Sequence, residues 1–235
     1  MKKMIVVVAA LGLLFPMSAM AADAEVKLET EKQKLSYAMG LDLGEYFKNM
    51  EEELDLDILS RGMNDSYKGN PPLLSPEETA AVQQAFAEQQ KQKQIKQTLA
   101  MIEKNKKAEE AFLAANKEKE GVMSTPSGLQ YKVVKEAQGA KPGAEDRVKV
   151  HYRGTLLDGK EFDSSYSRNE PAVFKVNQVI AGWQEALQLM PVGSIYELYI
   201  PAALAYGDRG APPVIEPGSM LTFSVELLDI NPDQK

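Results

Sequence analysis

The chain has 235 residues with one histidine, no cysteine and a net charge of −7. The absence of cysteine excludes disulfides and thiol chemistry, a single histidine makes the usual zinc sites and Ser-His or Cys-His nucleophilic devices hard to build, and the acidic balance argues against nucleic acid as a partner. No glycine-rich phosphate-binding motif occurs, so nucleotide chemistry is not indicated.

The first residues read as a cleavable export signal over 1–22. Lys2 and Lys3 precede an apolar run from Met4 to Phe15, and Ala19-Met20-Ala21 closes it. The run is short for a membrane span, no second one follows, and no cysteine is present to carry a lipid anchor. A soluble product outside the cytoplasm, in the periplasm, is therefore expected.

Residues 23–74 form the first regime of the mature chain. Leu35, Met39, Leu43, Tyr46, Phe47 and Met50, then Leu59, Met63 and Tyr67, recur at helical spacing and predict two short amphipathic helices, ended by Lys68-Gly69-Asn70-Pro71-Pro72. Some fifty residues make a marginal core, so this unit is expected to bury its stripe against a second copy. Gly40 and Gly44, four apart on one helix, either allow close approach of two backbones or are simply tolerated.

Residues 75–120 form the second. Ser75-Pro76-Glu77-Glu78 is a helix start, and no proline or glycine follows before Gly121. At 1.5 Å per residue this predicts a helix of up to about 65 Å. Its middle, "EQQKQKQIKQT", is polar on every face except Ile95, as expected of a stalk running through solvent.

From 121 to 235 the apolar period changes to two. Leu129, Tyr131 and Val133 alternate with polar neighbours, as do Val148, Val150 and Tyr152, then Tyr196, Leu198 and Ile200, and finally Leu221, Phe223, Val225 and Leu227. Asp158-Gly159 marks a hairpin. One helix alone is expected here, with Trp183, Ala186, Leu187 and Met190 on one face and Pro191-Val192-Gly193 as its stop. The fold class is α+β, a curved antiparallel sheet wrapped around one short helix and preceded by an all-α dimerisation arm and a long stalk helix.

The long loop from Ala205 to Gly218 contains Val214 and Ile215, which have no strand to join and must plug the core or line a cleft. Tyr152, Phe162, Trp183 and Tyr206 are brought near it by topology, so an aromatic cleft holding one carboxylate is inferred. His151, by strand alternation, points away from Tyr152 and is assigned a packing role.

At this level of detail residues 147–229 resemble the FKBP-type peptidyl-prolyl cis/trans isomerase domain, through "VKVHYRGTLLDGKEFDSSY" and "VIAGWQEALQLMPVGSIYELYIPAALAYGDRGAPPVIEPGSMLTFSVELLDI". The preceding helices, including "LSYAMGLDLGEY", resemble the amino-terminal dimerisation arm of the exported, macrophage infectivity potentiator-like branch. The resemblance implies a prolyl isomerase assisting the folding of exported proteins, with Trp183 as the floor of the site and Tyr152, Phe162, Val179, Ile180, Ile215 and Phe223 as substrate-binding walls. It implies catalytic roles for Asp163 and Tyr206, with Arg168 as a supporting partner of Asp163. In that reading the Ile180 N–H and Tyr206 hydroxyl bind substrate carbonyls, and Asp163 either polarises the twisted amide or holds Tyr152 and Arg168 in place. Gly182 lets the chain turn closely enough to present Val179 and Ile180 beside the indole. Ala172 or Val173 stands where some relatives carry a further aromatic, and Ala211-Pro212-Pro213 stands where several have a polar residue, which bears on ligand preference.

The implied partners are unfolded or proline-containing polypeptides and a second copy of the chain bound through residues 23–74, with the macrolides rapamycin and tacrolimus as ligands. No cofactor and no metal are expected. An ATP-independent dimeric holdase, whose cleft mainly binds clients, is the alternative from a different class.

Overall fold

A computed structural model describes residues 27–50 and 52–232, so the expected export signal lies outside the described residues. The chain divides into two compact units, with the division between Ser75 and Pro76.

The first unit holds α1 (Glu31–Asn49) and α2 (Leu56–Lys68). Thr30 Oγ1 accepts from Gln33 N at 3.2 Å while Gln33 Oε1 accepts from Thr30 N at 2.9 Å, a reciprocal cap that satisfies two otherwise unpaired donors. Asp55 Oδ1 accepts from Asp57 N and Ile58 N, both at 3.0 Å, at the start of α2, and Gly69 ends that helix in the left-handed region at φ +69°. Neither helix buries a residue in the single chain. Leu35 is 63% exposed, Met39 57% and Tyr46 61%, so the apolar stripe read from the sequence is present and uncovered. Gly40 and Gly44 both face open space.

The second unit begins with α3 (Pro76–Asn116), whose 41 residues span about 60 Å. Its polar middle is largely exposed, as expected of a stalk, but its last four turns behave differently. Ile102, Asn105, Glu109, Phe112 and Asn116, at helical spacing, are half-buried or buried, because this face lies on the sheet. Phe112 packs on Tyr199 with ring centroids 5.7 Å apart. Asn116, fully buried, donates from Nδ2 to Gln130 Oε1 at 2.9 Å, and Gln130 Nε2 donates to Leu113 O at 2.9 Å. Gln130 sits at a position that alternation assigns to solvent; the helix end covers it, and both ends of its amide are bonded there, whereas Asn116 Oδ1 is buried with no partner among the described residues.

Seven antiparallel strands follow: β1 (Val122–Ser124), β2 (Gln130–Lys135), β3 (Arg147–Thr155), β4 (Glu161–Ser164), β5 (Ala172–Lys175), β6 (Ile195–Ile200) and β7 (Leu221–Ile230). They run in the order β1-β2-β6-β7-β3-β4, and β5 pairs with the opposite end of β3 from β4. The sheet is open. Its inner face presents Val148, Val150, Tyr152, Leu198, Ile200, Leu221, Val225 and Leu227, all buried as the alternation predicts.

The one helix of this region, α4 (Ala181–Leu189), supplies the cover through Trp183, Ala186 and Leu187, with Met190 just beyond its end. Gly182 has a different reason from the one read in the sequence. It lies inside α4, and a side chain there would collide with Ile200 Cγ2, so it sets how closely helix and sheet approach rather than how the chain turns.

Candidate active site

The cleft is built where the covered face of the sheet ends. Trp183 sits in the first turn of α4, its N–H bonded to Ile180 O at 2.9 Å. Tyr152 meets the indole edge-on at 5.3 Å, Phe223 at 5.2 Å and Phe174 at 5.8 Å. Phe162 stands perpendicular to Phe223 at 5.5 Å. Such edge-to-face pairs place positive ring edges against negative ring faces and hold the rings upright. The Trp183 indole N–H is buried and finds no acceptor among the described residues, so packing alone holds the ring.

Gly154 makes this arrangement fit: a Cβ there would lie 2.7 Å from both Phe162 Cζ and Phe223 Cε1. Ile215 is buried in the same cluster, and Val179 and Ile180 pack against it. Ile180 is the N-cap of α4, at φ −58° and ψ 150°, and no acceptor among the described residues takes its N–H.

The polar edge is a closed triad. The Tyr152 hydroxyl donates to Asp163 Oδ2; Arg168 donates from Nη1 to Asp163 Oδ1 at 2.6 Å and from Nη2 to the Tyr152 hydroxyl oxygen at 2.8 Å. Register produces it, since Gly154 pairs with Asp163 across β3 and β4. Burial pulls the Asp163 carboxyl up, but the hydrogen bonds from Tyr152 and Arg168 and the guanidinium charge outweigh it and hold the group below its ordinary value. A carboxyl held low contributes stability above the usual aspartate range and loses it only as pH falls below that range, so the triad is complete at neutral pH. Burial first, and then the bond to Asp163, push the Tyr152 hydroxyl up, keeping it a proton donor.

Ser165 fastens the backbone beneath: its Oγ accepts from Tyr152 N at 2.8 Å, and its N–H donates to Tyr152 O at 3.0 Å. His151 stacks on Tyr166 at 4.6 Å and shares a 2.9 Å hydrogen bond between Nδ1 and Ser165 Oγ, on the side away from the cleft.

The structure thus brings Tyr152, Phe162, Trp183, Ile215 and Phe223 together with Val179 and Ile180, and sets Asp163 and Arg168 at their edge. Tyr206 stands apart from the rings. It is 42% exposed on the loop after β6, and its hydroxyl makes no hydrogen bond among the described residues. Phe174 was not singled out from the sequence as part of the site. Its signal was the alternation of Ala172 and Phe174 over four residues, too short to stand out from a loop.

A sheet wrapped on one helix, an aromatic cluster around one indole and a carboxylate neutralised at its edge are the features of an FKBP-type prolyl isomerase domain. A family profile described as FKBP-type peptidyl-prolyl cis-trans isomerase matches residues 138–228, and one for the domain amino terminal to it matches residues 32–133. The chain is 44% identical to "Outer membrane protein MIP" of Legionella longbeachae over 98% of both chains. It is 41% identical to "Peptidyl-prolyl cis-trans isomerase Mip" of Coxiella burnetii, over 98% of this chain and 99% of that one. The crystal structure of FkpA from Escherichia coli superposes with a TM-score of 0.73 at 37% identity, covering 88% of this chain and 99% of that chain. The chain belongs to the FKBP-type peptidyl-prolyl cis/trans isomerase family and is an isomerase of X-Pro bonds. No helix among the described residues is long and apolar enough to cross a membrane.

Proposed function

We propose that the protein isomerises X-Pro bonds of exported polypeptides by seating the proline ring on Trp183, between Tyr152, Phe162 and Phe223, while the Ile180 N–H and Tyr206 hydroxyl take substrate carbonyls. The observation that carries this reading is the set of rings packed edge-on around a single indole, beside the Ile180 N–H, which has no acceptor among the described residues. Rotation about an X-Pro bond is opposed by amide resonance, with a barrier of about 18–20 kcal/mol and spontaneous exchange over tens to hundreds of seconds. A dry apolar cleft disfavours the charge-separated planar amide, and fixed donors favour the twisted one; no covalent step is needed.

Both oxygens of Asp163 are occupied, and Arg168 neutralises its charge. Asp163 therefore acts as a positioning residue that orients Tyr152, in preference to polarising the substrate directly. The residues before position 27, read as an export signal, and the relative named an outer membrane protein support action in the periplasm.

The test uses the full chain and a panel of X-Pro peptides. Tyr206→Phe is expected to lower kcat/KM by about fivefold to tenfold, the effect of one hydrogen bond made to the substrate. An unchanged kcat/KM would remove Tyr206 from the site. The same variant combined with Asp163→Asn separates a holdase role: aggregation suppression that disappears with isomerase activity leaves no independent chaperone surface.

Residues 23–74 are proposed to join two copies through the exposed stripe of α1 and α2. Sedimentation at micromolar concentration is expected to show a dimer, and a monomer would overturn that assignment. Rapamycin and tacrolimus, which present a proline-like ring, are the expected ligands of the cleft.

A further inference from the structure

We infer that the last four turns of α3 position the wall of the cleft, with Asn105 and Glu109 as the positioning residues and the loop from Pro201 to Met220 as the part they hold. The inference rests on the proposed cleft, because that loop carries Tyr206 and Ile215.

The loop joins β6 to β7 with two short 3-10 turns and no strand of its own. Most of its internal backbone bonds close single tight turns, such as Leu204 N to Pro201 O, Ala205 N to Ala202 O, Gly210 N to Tyr206 O and Ser219 N to Glu216 O; beyond these, Ala211 N and Ile215 N each bond to the other's carbonyl, at 2.8 Å and 3.1 Å, and Gly218 N reaches Gly207 O at 3.0 Å. Segments with so little ladder bonding open at low cost unless something outside them holds them.

Here α3 does so at four places. Glu109 Oε2 accepts from the Ala202 N–H at 2.6 Å. Lys106 Nζ pairs with Asp208 Oδ1 at 2.9 Å. Asn105 Nδ2 donates to Pro217 O at 2.9 Å, with longer contacts to Glu216 Oε2 at 3.3 Å and Ser219 Oγ at 3.4 Å. Gly218 lies so near the helix that a Cβ would stand 3.2 Å from Ile102 Cα.

The spacing of these fastenings carries the argument. Tyr206 falls between the points at Ala202 and Asp208, and Ile215 falls between those at Asp208 and Pro217, so each wall residue is bracketed by helix contacts. The Lys106 pair is half-exposed on both sides and contributes little. Asn105 and Glu109 bond to loop backbone at part-buried positions, where losing a partner leaves a donor or acceptor without water. Burial pushes the Glu109 carboxyl up, with the Ala202 bond acting against it. The position requires an acceptor rather than a charge, which a neutral amide supplies.

Catalysis in such a cleft depends on where Tyr206 and Ile215 stand, and a displacement near 1 Å can lower a rate by about a hundredfold. A loop freed at one of its fastenings samples displaced positions for part of the time, and its effect is correspondingly smaller.

The test compares full-length wild-type, Asn105→Ala, Glu109→Ala and Glu109→Gln proteins, with Trp183→Leu and Tyr206→Phe alongside. Both alanine variants are expected to lower kcat/KM for an X-Pro tetrapeptide by about fivefold to tenfold. Rapamycin affinity, followed by the fluorescence of the single tryptophan, falls with it, and amide exchange at Ala202 and Ile215 accelerates. Glu109→Gln is expected to stay within about twofold of wild type, because its amide oxygen retains the bond to Ala202. Rescue by glutamine separates positioning from a general loss of folding. If Trp183→Leu and Tyr206→Phe impair activity while both alanine variants keep wild-type kcat/KM, the tether is rejected and the cleft stands. If Trp183→Leu and Tyr206→Phe are themselves fully active, the cleft assignment and the tether fall together.

Discussion

Replacing Trp183 by alanine is expected to lower kcat/KM for X-Pro peptides by about thirtyfold or more and the melting temperature of the protein by roughly 10 °C. The indole is 4% exposed and meets Tyr152, Phe174 and Phe223 edge-on. Alanine leaves those three rings around a void, and large-to-small changes of this kind cost about 3–5 kcal/mol, at about 2–4 °C per kcal/mol for a unit of this size. The activity loss has a separate origin. A proline ring that no longer lies on the indole forfeits the burial of about three methylenes at ~0.8 kcal/mol each, which is thirtyfold or more in rate.

Trp183→Leu separates the two effects, since it refills part of the void while removing the flat floor. Its stability is expected to lie well above that of the alanine variant, with rapamycin affinity, read by calorimetry because this variant has no tryptophan, still reduced. Rapamycin affinity and kcat/KM are read well below the lowered melting temperature, so that the folded fraction does not enter. Undiminished rapamycin affinity in Trp183→Leu would show that the ring is a core plug and the floor lies elsewhere.

The sheet was legible from Val148, Val150, Tyr152 and the strands that follow because only one of its faces is covered by α4, and a half-covered sheet writes its orientation as a period of two. Two parts of the second unit are not written that way. The docked face of α3 carries Asn105, Glu109 and Asn116, whose contacts are hydrogen bonds to loop backbone and to Gln130, so hydropathy reads it as part of the stalk. Strand β5 has four residues after Pro171, which gives no ladder donor, and Phe174 was missed with it.

For the site, alternation marks Tyr152 and Phe223 only as core, and at 4% and 8% exposure both are buried in it. Topology placed Tyr152 near a cleft, and the wall role proposed for both is what motif resemblance implies. The resemblance offered Tyr152 and Arg168 as partners of Asp163 in one of its two readings; that each takes a separate carboxyl oxygen depends on the β3 to β4 register, which brings together residues five and eleven positions from Asp163.

Gly210→Ala is expected to be the most damaging change in the loop that holds Tyr206 and Ile215, lowering kcat/KM by about a hundredfold while leaving the sheet folded. Gly210 has φ +64° and ψ −163°, a region open essentially to glycine alone and costing about 1–3 kcal/mol for other residues. Strain is only part of the effect. A Cβ at this position would lie 2.5 Å from Ile215 O, 2.7 Å from Glu216 C and 2.8 Å from Pro217 N, all backbone atoms that no rotamer change can move. The chain has to re-form between Gly210 and Pro217, which opens the paired bonds of Ala211 and Ile215 and draws Ile215 from the core, where it is 5% exposed.

Gly207 supplies the control within the same turn. Its φ is +56°, yet nothing lies within 4 Å of the position a Cβ would occupy, so alanine there meets the backbone cost of about 1–2 kcal/mol and no collision. A loss of only a few-fold is expected for Gly207→Ala. The comparison is kcat/KM for the two variants at a temperature where both retain the far-ultraviolet circular dichroism of wild type. Equal losses would mean that left-handed strain alone governs this loop and that its close packing against Ile215 is immaterial to the cleft.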